Sequence, residues 1–471
     1  MSDYDVVIIG SGPAGYVSAI RASQNGLETA IIEREPTERL GGTCLLRGCI
    51  PTKAMLQTAD LVAKMRHSED FGITTSDTEV DMDKMAQYRE KNIEKNASGV
   101  GYLMKKNDVD VHWGHGRIAG PNEVSVEKED GSEEILSTDN AIVATGSACA
   151  HLPFIECDGE RILDSDQLLD STMLPDHLVV LGAGAVGVEY ASCYLRYGSD
   201  VTLVEMEDRI VPGEDREVSA ELEKVFSRQG MEVRTASKVT DVNATDDGVE
   251  AVVESVEDGA ESEVIEASHF LVAVGRRPVT EDVGLEPTAV EMTDRGYVEV
   301  DEYMRTDESW IYAIGDIVDD TPWLAHVGSH EGILAADHIA GDDPHPINYD
   351  HAPMCTYCSP EVASVGLTEQ EAEERGYDVK TGKFPFSAIG KASIVGQTDG
   401  FVKIVSEEKY DEFLGLHIIG PKATELITEG TVAMNLESTV LEVEHTIHPH
   451  PTLSEAVGEA AHAVLGETIH V

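Results

Sequence analysis

Two cysteines stand five residues apart in a glycine-rich segment near the N-terminus, Cys44 and Cys49. Such a pair can form a disulfide that exchanges with a dithiol substrate. Five residues of regular helix turn about 500°, which would leave the two side chains well apart. A disulfide between them therefore needs a distorted turn, and Gly48 and Pro51 supply a break. The alternative, two packed structural cysteines, is disfavoured by the flanking glycines.

The residues after the pair predict a helix that favours a reactive thiol. Pro51 is acceptable in a first helical turn, so Cys49 is expected near the helix N-terminus. That position favours the thiolate. Lys53 follows four residues later, on the same face if the helix is regular.

A histidine near the end of the chain is the candidate general base. It lies in the segment His448-Pro-His450-Pro-Thr-Leu-Ser-Glu455. A histidine held by a carboxylate is the common arrangement for a base that works near pH 7. Thr452 or Ser454 is predicted to cap the helix that begins there, with Glu455 in its first turn. For most of the 17 histidines an ordinary packed or solvated role is the better interpretation.

The remaining cysteines are interpreted as packing residues. Cys355 and Cys358 form a second C-x-x-C, but a zinc site needs about four ligands and no partner motif stands nearby. Cys149, Cys157 and Cys193 are scattered. The sequence therefore predicts no metal site.

Two segments of the chain look alike, and each predicts a βαβ unit that binds a dinucleotide. In each, an apolar run is followed by G-x-G-x-x-G and a helix-like stretch. The glycines allow a tight turn and close approach to a pyrophosphate, and the helix N-terminus supplies N–H groups. An acid 23 residues after the first glycine is placed to bind a ribose hydroxyl. The residues are Gly10, Gly12, Gly15 and Glu33 in the first copy and Gly182, Gly184, Gly187 and Glu205 in the second.

Glu205 also bears on the choice of nicotinamide cofactor. A carboxylate at this place repels a 2′-phosphate, which favours NAD over NADP. Arg209 is nearby in sequence and could bind a 2′-phosphate, so NADP stays as an alternative cofactor.

Three further β-runs end in candidate cofactor residues: Thr145 and Gly146, Gly275, and Asp316. A carboxylate at Asp316 can reach a ribitol or ribose hydroxyl, which favours FAD on the first half. The pattern alone does not decide which half holds the flavin.

The order of elements predicts an α/β protein with two Rossmann-like domains and a separate C-terminal α+β domain. The predicted boundaries are 1–150 for the first dinucleotide domain, 151–275 for the second, 276–345 for a central segment, and 346–471 for the C-terminal domain. Residues 58–100 are expected to be helical because they contain little Gly or Pro.

The charge is unusual: 89 acidic against 34 basic residues give a net charge of −55. Screening by molar salt would relieve this self-repulsion, so we hypothesise a salt-rich cytoplasm, against the alternative of an acidic mesophilic enzyme. The charge disfavours binding to nucleic acid and to anionic membranes.

The N-terminus has no basic region typical of a signal peptide, and no apolar run is long enough for a membrane span. The expected location is cytoplasmic.

These motifs, in this order, resemble the pyridine nucleotide–disulfide oxidoreductases along essentially the whole chain. The most specific mark is Gly-Gly-Thr-Cys-x₄-Cys-Ile-Pro-Thr-Lys at 41–53. Within the family, Val204-Glu205-Met206, Leu324-Ala-His326 and the 448–455 segment are similar to the members that oxidise dihydrolipoamide. The resemblance implies FAD and NAD as cofactors and a homodimer with shared active sites. It also implies that 1–150 is the FAD domain, that 276–345 completes it, that 151–275 is the NAD domain, and that 346–471 is the dimerisation domain.

The resemblance also implies roles. Cys44 would exchange with dihydrolipoamide or a lipoyl protein, and Cys49 would be the sulfur nearest the flavin. His450, oriented by Glu455, would accept the substrate's protons at the partner's cysteines, and Lys53 would pair with Glu189 beside the flavin. Electrons would pass to NAD⁺. A 2-oxoacid dehydrogenase or glycine-cleavage system would supply the lipoyl partner, and the sequence does not say which.

One departure and several rivals remain. Arg47 stands between the cysteines where the family usually has another residue, and it could lower a thiol pKa or alter docking. Glutathione reductase is disfavoured by Glu205. Mercuric reductase and the larger thioredoxin reductases carry a second redox pair at the C-terminus, which Gly466 to Val471 do not contain. A purely structural subunit would not need the cysteine pair or His450.

Overall fold

The computed structural model describes residues 2–76, 78–256 and 262–470. Contacts between residues divide the chain into two compact units, each made of three segments. The first unit comprises Met1–Ala54, Asp83–Cys149 and Arg276–Tyr349, and the second comprises Met55–Met82, Ala150–Gly275 and Asp350–Val471. No helix among the described residues combines the length and the apolar run needed to cross a bilayer.

The described residues form 22 strands. They are β1 (Tyr4–Ile9), β2 (Thr29–Glu33), β3 (Asp110–Trp113), β4 (His115–Gly120), β5 (Glu123–Glu127), β6 (Glu133–Val143), β7 (Ser147–Cys149), β8 (Ile162–Asp164), β9 (His177–Leu181), β10 (Asp200–Val204), β11 (Glu232–Arg234), β12 (Ser237–Ala244), β13 (Val249–Ser255), β14 (Glu263–Ala267), β15 (His269–Val272), β16 (Arg276–Pro278), β17 (Ile311–Ala313), β18 (Met354–Thr356), β19 (Glu361–Gly366), β20 (Val379–Pro385), β21 (Phe401–Glu407) and β22 (Phe413–Gly420).

The same residues form 13 α-helices. They are α1 (Pro13–Gln24), α2 (Gly42–Leu46), α3 (Cys49–Arg66), α4 (Met82–Lys106), α5 (Ser165–Asp170), α6 (Ala185–Tyr197), α7 (Arg216–Arg228), α8 (Ala325–Ile339), α9 (Glu369–Glu374), α10 (Gly390–Val395), α11 (Ala423–Asn435), α12 (Val440–Glu444) and α13 (Glu455–Leu465).

The first unit is built on a mixed sheet with a parallel centre. Strands β3, β2, β1 and β6 lie side by side in that order, β17 pairs with β6, and all of these pairs are parallel. In β1 the residues Val6 to Ile9 are almost completely buried, as expected for a strand with both faces covered. Strands β5 and β4 extend the sheet in antiparallel fashion. The connection β1–α1–β2 is the predicted βαβ unit.

The second unit contains a second parallel sheet, with the strand order β11-β10-β9-β15-β8. Its β9–α6–β10 connection repeats the arrangement of the first unit. Strands β12, β13 and β14 form a separate antiparallel sheet.

The C-terminal part of the second unit is an antiparallel sheet covered by helices. The strand order is β18-β19-β22-β21-β20, and α11 and α13 pack against the sheet around a core that includes Phe384, Phe386 and Leu416. Two Rossmann-like parts and a C-terminal α+β part confirm the predicted fold class.

The expectation of helix throughout 58–100 was wrong in one part. Helix α3 ends at Arg66, a short 3₁₀ turn covers Ser68–Phe71, and α4 begins only at Met82. Gly72 adopts a left-handed conformation with φ of 75°, which ends the turn. The residue Asp77 lies outside the described residues.

Candidate active site

The two glycine-rich turns have the same geometry. Gly10 and Gly182 have φ of 107° and 99°, a region that L side chains rarely adopt. A Cβ at Gly15 would lie 1.9 Å from the Gly10 carbonyl oxygen, and one at Gly187 would lie 1.8 Å from the Gly182 oxygen. The first glycine therefore makes the turn, and the third lets the helix pack on it.

The middle glycine of each turn faces open space. A Cβ at Gly12 or Gly184 would meet no heavy atom within 4 Å. Each of them precedes a helix, α1 or α6, whose first N–H groups lack partners within the helix. An open glycine backbone beside free helix N–H groups suits a pyrophosphate, so both turns fit a dinucleotide.

The two predicted ribose acids are fixed in matching ways. Glu33 accepts hydrogen bonds from the Ser11 N–H at 3.0 Å and from the Ser11 hydroxyl at 2.5 Å. Glu205 accepts from the Ala183 N–H at 2.6 Å and from the Glu207 N–H at 2.9 Å. In each unit the carboxylate is tied to the residue after the first glycine, which places it at the mouth of the turn.

Arg209, which left NADP as an alternative, binds groups of the protein through its two terminal nitrogens. They donate to Asp208 at 3.2 Å and to the Pro212 carbonyl oxygen at 2.6 Å. The Arg209 Nε is buried and has no hydrogen-bond partner among the described residues.

Residues from two segments of the first unit meet around Asp316. Its carboxylate accepts from the Ser147 hydroxyl at 2.5 Å, and the same hydroxyl accepts from Arg276 Nε at 2.8 Å. Thr145 donates to the Val279 carbonyl oxygen at 2.5 Å, and Gly146 has φ of 70°. Gly275 has φ of 109° and belongs to the second unit, three residues beyond the end of β15.

The helix break predicted between the cysteines is present. Helix α2, which carries Cys44, ends at Leu46, and Arg47 leaves the helical conformation with φ of −145°. Helix α3 then begins at Cys49, with Pro51 in its first turn. A Cβ at Gly48 would lie 3.0 Å from the Thr43 carbonyl oxygen, so glycine permits the tight return.

This return brings the two sulfurs into hydrogen-bond contact. The contact with Cys49 raises the pKa of Cys44 far above its usual range, and burial raises it further, while the charge of Lys53 acts to lower it. Cys44 is partly buried and Cys49 is exposed. Their proximity is what a redox pair requires.

The cysteine segment is attached to the first glycine-rich turn. The Gly41 N–H donates to the Ser11 hydroxyl at 3.1 Å, and that hydroxyl in turn binds Glu33. A Cβ at Gly42 would lie 2.6 Å from the Gly12 Cα. The helix that carries Cys44 therefore begins directly on the turn expected to hold a pyrophosphate.

Arg47 pairs with a carboxylate just beyond the end of β2. Its guanidinium forms an ion pair with Glu35, whose side chain is mostly buried. The Glu35 N–H binds Glu33 at 2.9 Å, so Arg47 ties the cysteine loop to the end of β2.

The predicted histidine–carboxylate pair is formed in the second unit. His450 Nδ1 lies 2.8 Å from Glu455 Oε1, and the Thr452 N–H donates to Glu455 Oε2 at 2.8 Å. Partial burial acts to raise the pKa of Glu455, but these hydrogen bonds hold it below its usual value. Because an ionised carboxylate only accepts, Nδ1 donates and Nε2 is left to take a proton.

The predicted side-chain cap of α13 is absent. Ser454 occupies the N-cap position without a capping hydrogen bond, and the Thr452 hydroxyl donates to the Pro449 carbonyl oxygen. The Glu455 side chain takes the N–H of Thr452 instead.

Glu189 and Lys53 are placed in different units. Glu189 is buried on α6 and accepts the Tyr357 N–H at 2.9 Å. Lys53 is in the second turn of α3, within the first unit. Their pairing stays a prediction.

Both cysteines of the second C-x-x-C are packed within the fold. Cys358 is buried, donates to the Pro360 carbonyl oxygen at 3.1 Å, and has its pKa raised by burial. Cys355 packs against the C-terminal core. No group of three or more His, Cys, Asp or Glu side chains that could hold a metal was found within 2–76, 78–256 and 262–470.

Sequence reasoning missed four residues that contact the predicted site residues or the segments that carry them: Ser11, Ser147, Glu429 and His448. Ser11 lies inside the G-x-G motif and Ser147 directly follows Thr145-Gly146, so their positions were visible signals. Glu429 binds His448 at 2.6 Å from 19 residues away, and no local pattern marks that contact.

Comparison with known proteins identifies the family. The model of the family described as pyridine nucleotide-disulphide oxidoreductase matches residues 4–332. The model of that family's dimerisation domain matches residues 352–461. The chain belongs to the pyridine nucleotide–disulphide oxidoreductase family. It is an NAD-dependent flavoprotein of this class, with FAD and NAD as cofactors, as predicted from the sequence.

Curated relatives that match along the full length of the chain include several dihydrolipoyl dehydrogenases. The dihydrolipoyl dehydrogenase of Bacillus subtilis is 45% identical over 100% of this chain and 99% of its own length. That of Haloferax volcanii is 39% identical over 99% of this chain and 97% of its own. Among solved structures, LpdA from Mycobacterium tuberculosis superposes with a TM-score of 0.89 at 28% identity, covering 97% of this chain and 98% of its own.

Proposed function

We propose that this chain oxidises dihydrolipoamide, free or protein-bound, to lipoamide and reduces NAD⁺ to NADH. The observation that carries the proposal is the attachment of the cysteine pair to the first dinucleotide turn through Gly41, Gly42 and Ser11. Full-length relatives that are dihydrolipoyl dehydrogenases support the substrate.

The cysteine pair performs the exchange. One substrate thiol loses its proton, and its sulfur attacks Cys44 Sγ, breaking the Cys44–Cys49 bond and releasing the Cys49 thiolate. The second substrate thiolate then attacks the substrate sulfur held on Cys44. The products are lipoamide and the reduced cysteine pair, which has gained two electrons.

His450 serves as the base for the substrate thiols. Its Nε2 accepts the proton, and Glu455 stabilises the resulting imidazolium through Nδ1. The family's dimerisation domain supports a homodimer, in which we propose that His450 acts at the partner's cysteine pair.

The first dinucleotide site, next to the cysteines, is proposed to hold FAD, and the second to hold NAD. When bound, FAD supplies the two-electron carrier between the reduced cysteine pair and NAD⁺. Glu33 and Asp316 are proposed to bind the sugar and ribitol hydroxyls of FAD, and Glu205 the adenine ribose of NAD. The boundaries 1–150, 151–275, 276–345 and 346–471 remain the proposed domain limits.

The direct test is NADH formation from dihydrolipoamide and NAD⁺ by the FAD-loaded enzyme in high KCl. We expect turnover, with a change in the flavin absorption spectrum when the dithiol is added without NAD⁺ under anaerobic conditions. A flavin spectrum that responds to NADH but not to dihydrolipoamide would overturn the substrate assignment and direct the search to other disulfides.

Glu205 is expected to determine the preference for NAD. Glu205→Gln removes the charge that repels a 2′-phosphate and weakens the ribose contact, so the ratio of kcat/KM for NADH to that for NADPH should fall about 10- to 100-fold. Glu207→Gln is the matched control, because only the backbone of Glu207 contacts Glu205. A wild-type preference for NADPH would refute the assignment.

The acidic surface is proposed to be an adaptation to a salt-rich cytoplasm. Even if every Lys and Arg paired with a carboxylate, a net charge of −55 would remain. At molar salt the Debye length falls to roughly 3 Å, which removes most of this repulsion.

Stability should therefore rise with KCl. We expect Tm to increase by about 10 °C or more between dilute buffer and 2 M KCl, since each kcal/mol shifts Tm by roughly 2–4 °C for a domain of this size class. Sucrose at matched osmolality is the control, because it favours burial without screening. A Tm that stays constant or falls with KCl would contradict the proposal.

The lipoyl-bearing partner is proposed to be a 2-oxoacid dehydrogenase or glycine-cleavage component. Such a partner would present a lipoyl group that reaches Cys44.

A further inference from the structure

His448 is the least exposed side chain in the first part of the connection that carries His450. Residues 445–454 join α12 to α13 without regular structure. From His445 to Pro451 each residue is exposed in the single chain except His448, whose side chain is 10% exposed. Ile447 beside it is 94% exposed. Leu453 packs against the C-terminal core nearer to α13, so the part from His445 to Pro451 depends mainly on His448 for its position.

His448 is clamped between two helices. Its Nε2 lies 2.6 Å from Glu429 Oε1 on α11. Its ring lies against Gly458 on α13, where a Cβ would approach Nδ1 to 2.8 Å. Gly458 is three residues after Glu455, so the same turn of α13 seats His448 and carries the partner of His450.

The charges around His448 are consistent with an ion pair. The hydrogen bond with Glu429 raises the pKa of His448, although partial burial acts to lower it. The groups that face it are Glu429 on α11, Glu455 on α13 and the backbone of Thr446. The positive charge of His448 in turn helps to hold the pKa of Glu455 low.

We propose that His448, clamped by Glu429 and seated on Gly458, is a positioning residue that holds His450 and Glu455 in register for proton transfer from the dithiol. The inference rests on the proposed function. His448 touches neither the cysteines nor the substrate in this role; it acts through the segment that it anchors.

The test separates the two half-reactions. Dithiol oxidation needs His450, whereas NADH oxidation with an artificial electron acceptor does not. A displacement of about 1 Å costs up to about 100-fold in rate, so His448→Ala should slow reduction of the enzyme by dihydrolipoamide about 10- to 100-fold. The NADH–acceptor reaction should stay within about twofold, since no group that it uses has been altered.

Two further variants test the hydrogen bond between His448 and Glu429, one by keeping a donor and one by removing the charge of the acceptor. His448→Gln keeps an N–H donor toward Glu429 and should recover most of the dithiol rate, while Glu429→Gln removes the carboxylate charge and should lose part of it. His470→Ala is the matched control, because His470 forms a pair of the same type with Glu459 at 2.7 Å. Its dithiol rate should equal that of the wild type.

Hydrogen exchange provides a readout that does not depend on activity. Amides of 445–454 should exchange at least about tenfold faster in His448→Ala than in the wild type or in His470→Ala. A wild type that fails to oxidise dihydrolipoamide would overturn the proposed function. The hydrogen-exchange result would still show whether His448 holds residues 445–454 in place. The inference itself is overturned if His448→Ala keeps the wild-type dithiol rate, loses both half-reactions in parallel, or shows unchanged exchange.

Discussion

Replacing Cys49 by serine is expected to lower dihydrolipoamide oxidation by at least ~10³-fold while FAD stays bound. Without Cys49 the chain cannot form the disulfide that accepts two electrons. Cys44 would still meet the substrate, but no bond would be present for the substrate sulfur to break. The fold should persist, because Cys49 is exposed at the start of α3 and serine is accepted at a helix N-terminus.

The measurement is steady-state NADH formation together with the flavin content of the purified variant. Cys157→Ser is the matched control, since Cys157 is a partly buried thiol packed against the core that includes Val179 and Phe270. NADH oxidation with an artificial acceptor should survive in both variants. Lipoamide turnover by Cys49→Ser at a rate comparable to that of the wild type would rule out the disulfide mechanism.

Loss of the base is expected to have the second largest effect. His450→Gln should slow the dithiol half-reaction about 10²- to 10⁴-fold, the usual contribution of a general base. Glu455→Gln should have a smaller effect, about 10²-fold. A neutral amide can donate to Nδ1 as well as accept from it, so it no longer enforces the tautomer in which Nε2 accepts the proton.

Stopped-flow reduction of the flavin by dihydrolipoamide measures this step directly, and reduction by NADH serves as the internal control. The NADH rate should be unchanged in both variants, because the hydride step uses neither side chain. If His450→Gln reduced its flavin with dihydrolipoamide as fast as the wild type, another group would have to be the base.

The local sequence was enough to predict the parts of the site that lie close together along the chain. The G-x-G-x-x-G spacing requires a turn with positive φ at its first glycine, and Gly10 and Gly182 adopt it. Gly48 and Pro51 require a helix break, and α3 begins at Cys49. These features depend on the steric limits of a few adjacent residues, so they hold wherever the segment is placed.

Contacts between segments that are far apart in sequence could not be predicted from local sequence patterns. Ser147 and Asp316 are 169 residues apart in sequence and meet because β17 joins the sheet next to β6. The sequence left the role of Arg47 open, and the structure pairs it with Glu35 because the end of β2 lies beside the cysteine loop.

The sequence by itself was enough to select the candidate residues for the proposed chemistry: the cysteine pair, the two dinucleotide turns and the histidine with its carboxylate. Only the tertiary structure decided that the cysteine helix rests on the first turn, through Gly42 against Gly12, and that His448 is held by Glu429. The physical reason is that steric and hydrogen-bonding preferences of neighbouring residues set local conformation, whereas burial and packing of whole elements set which distant groups meet.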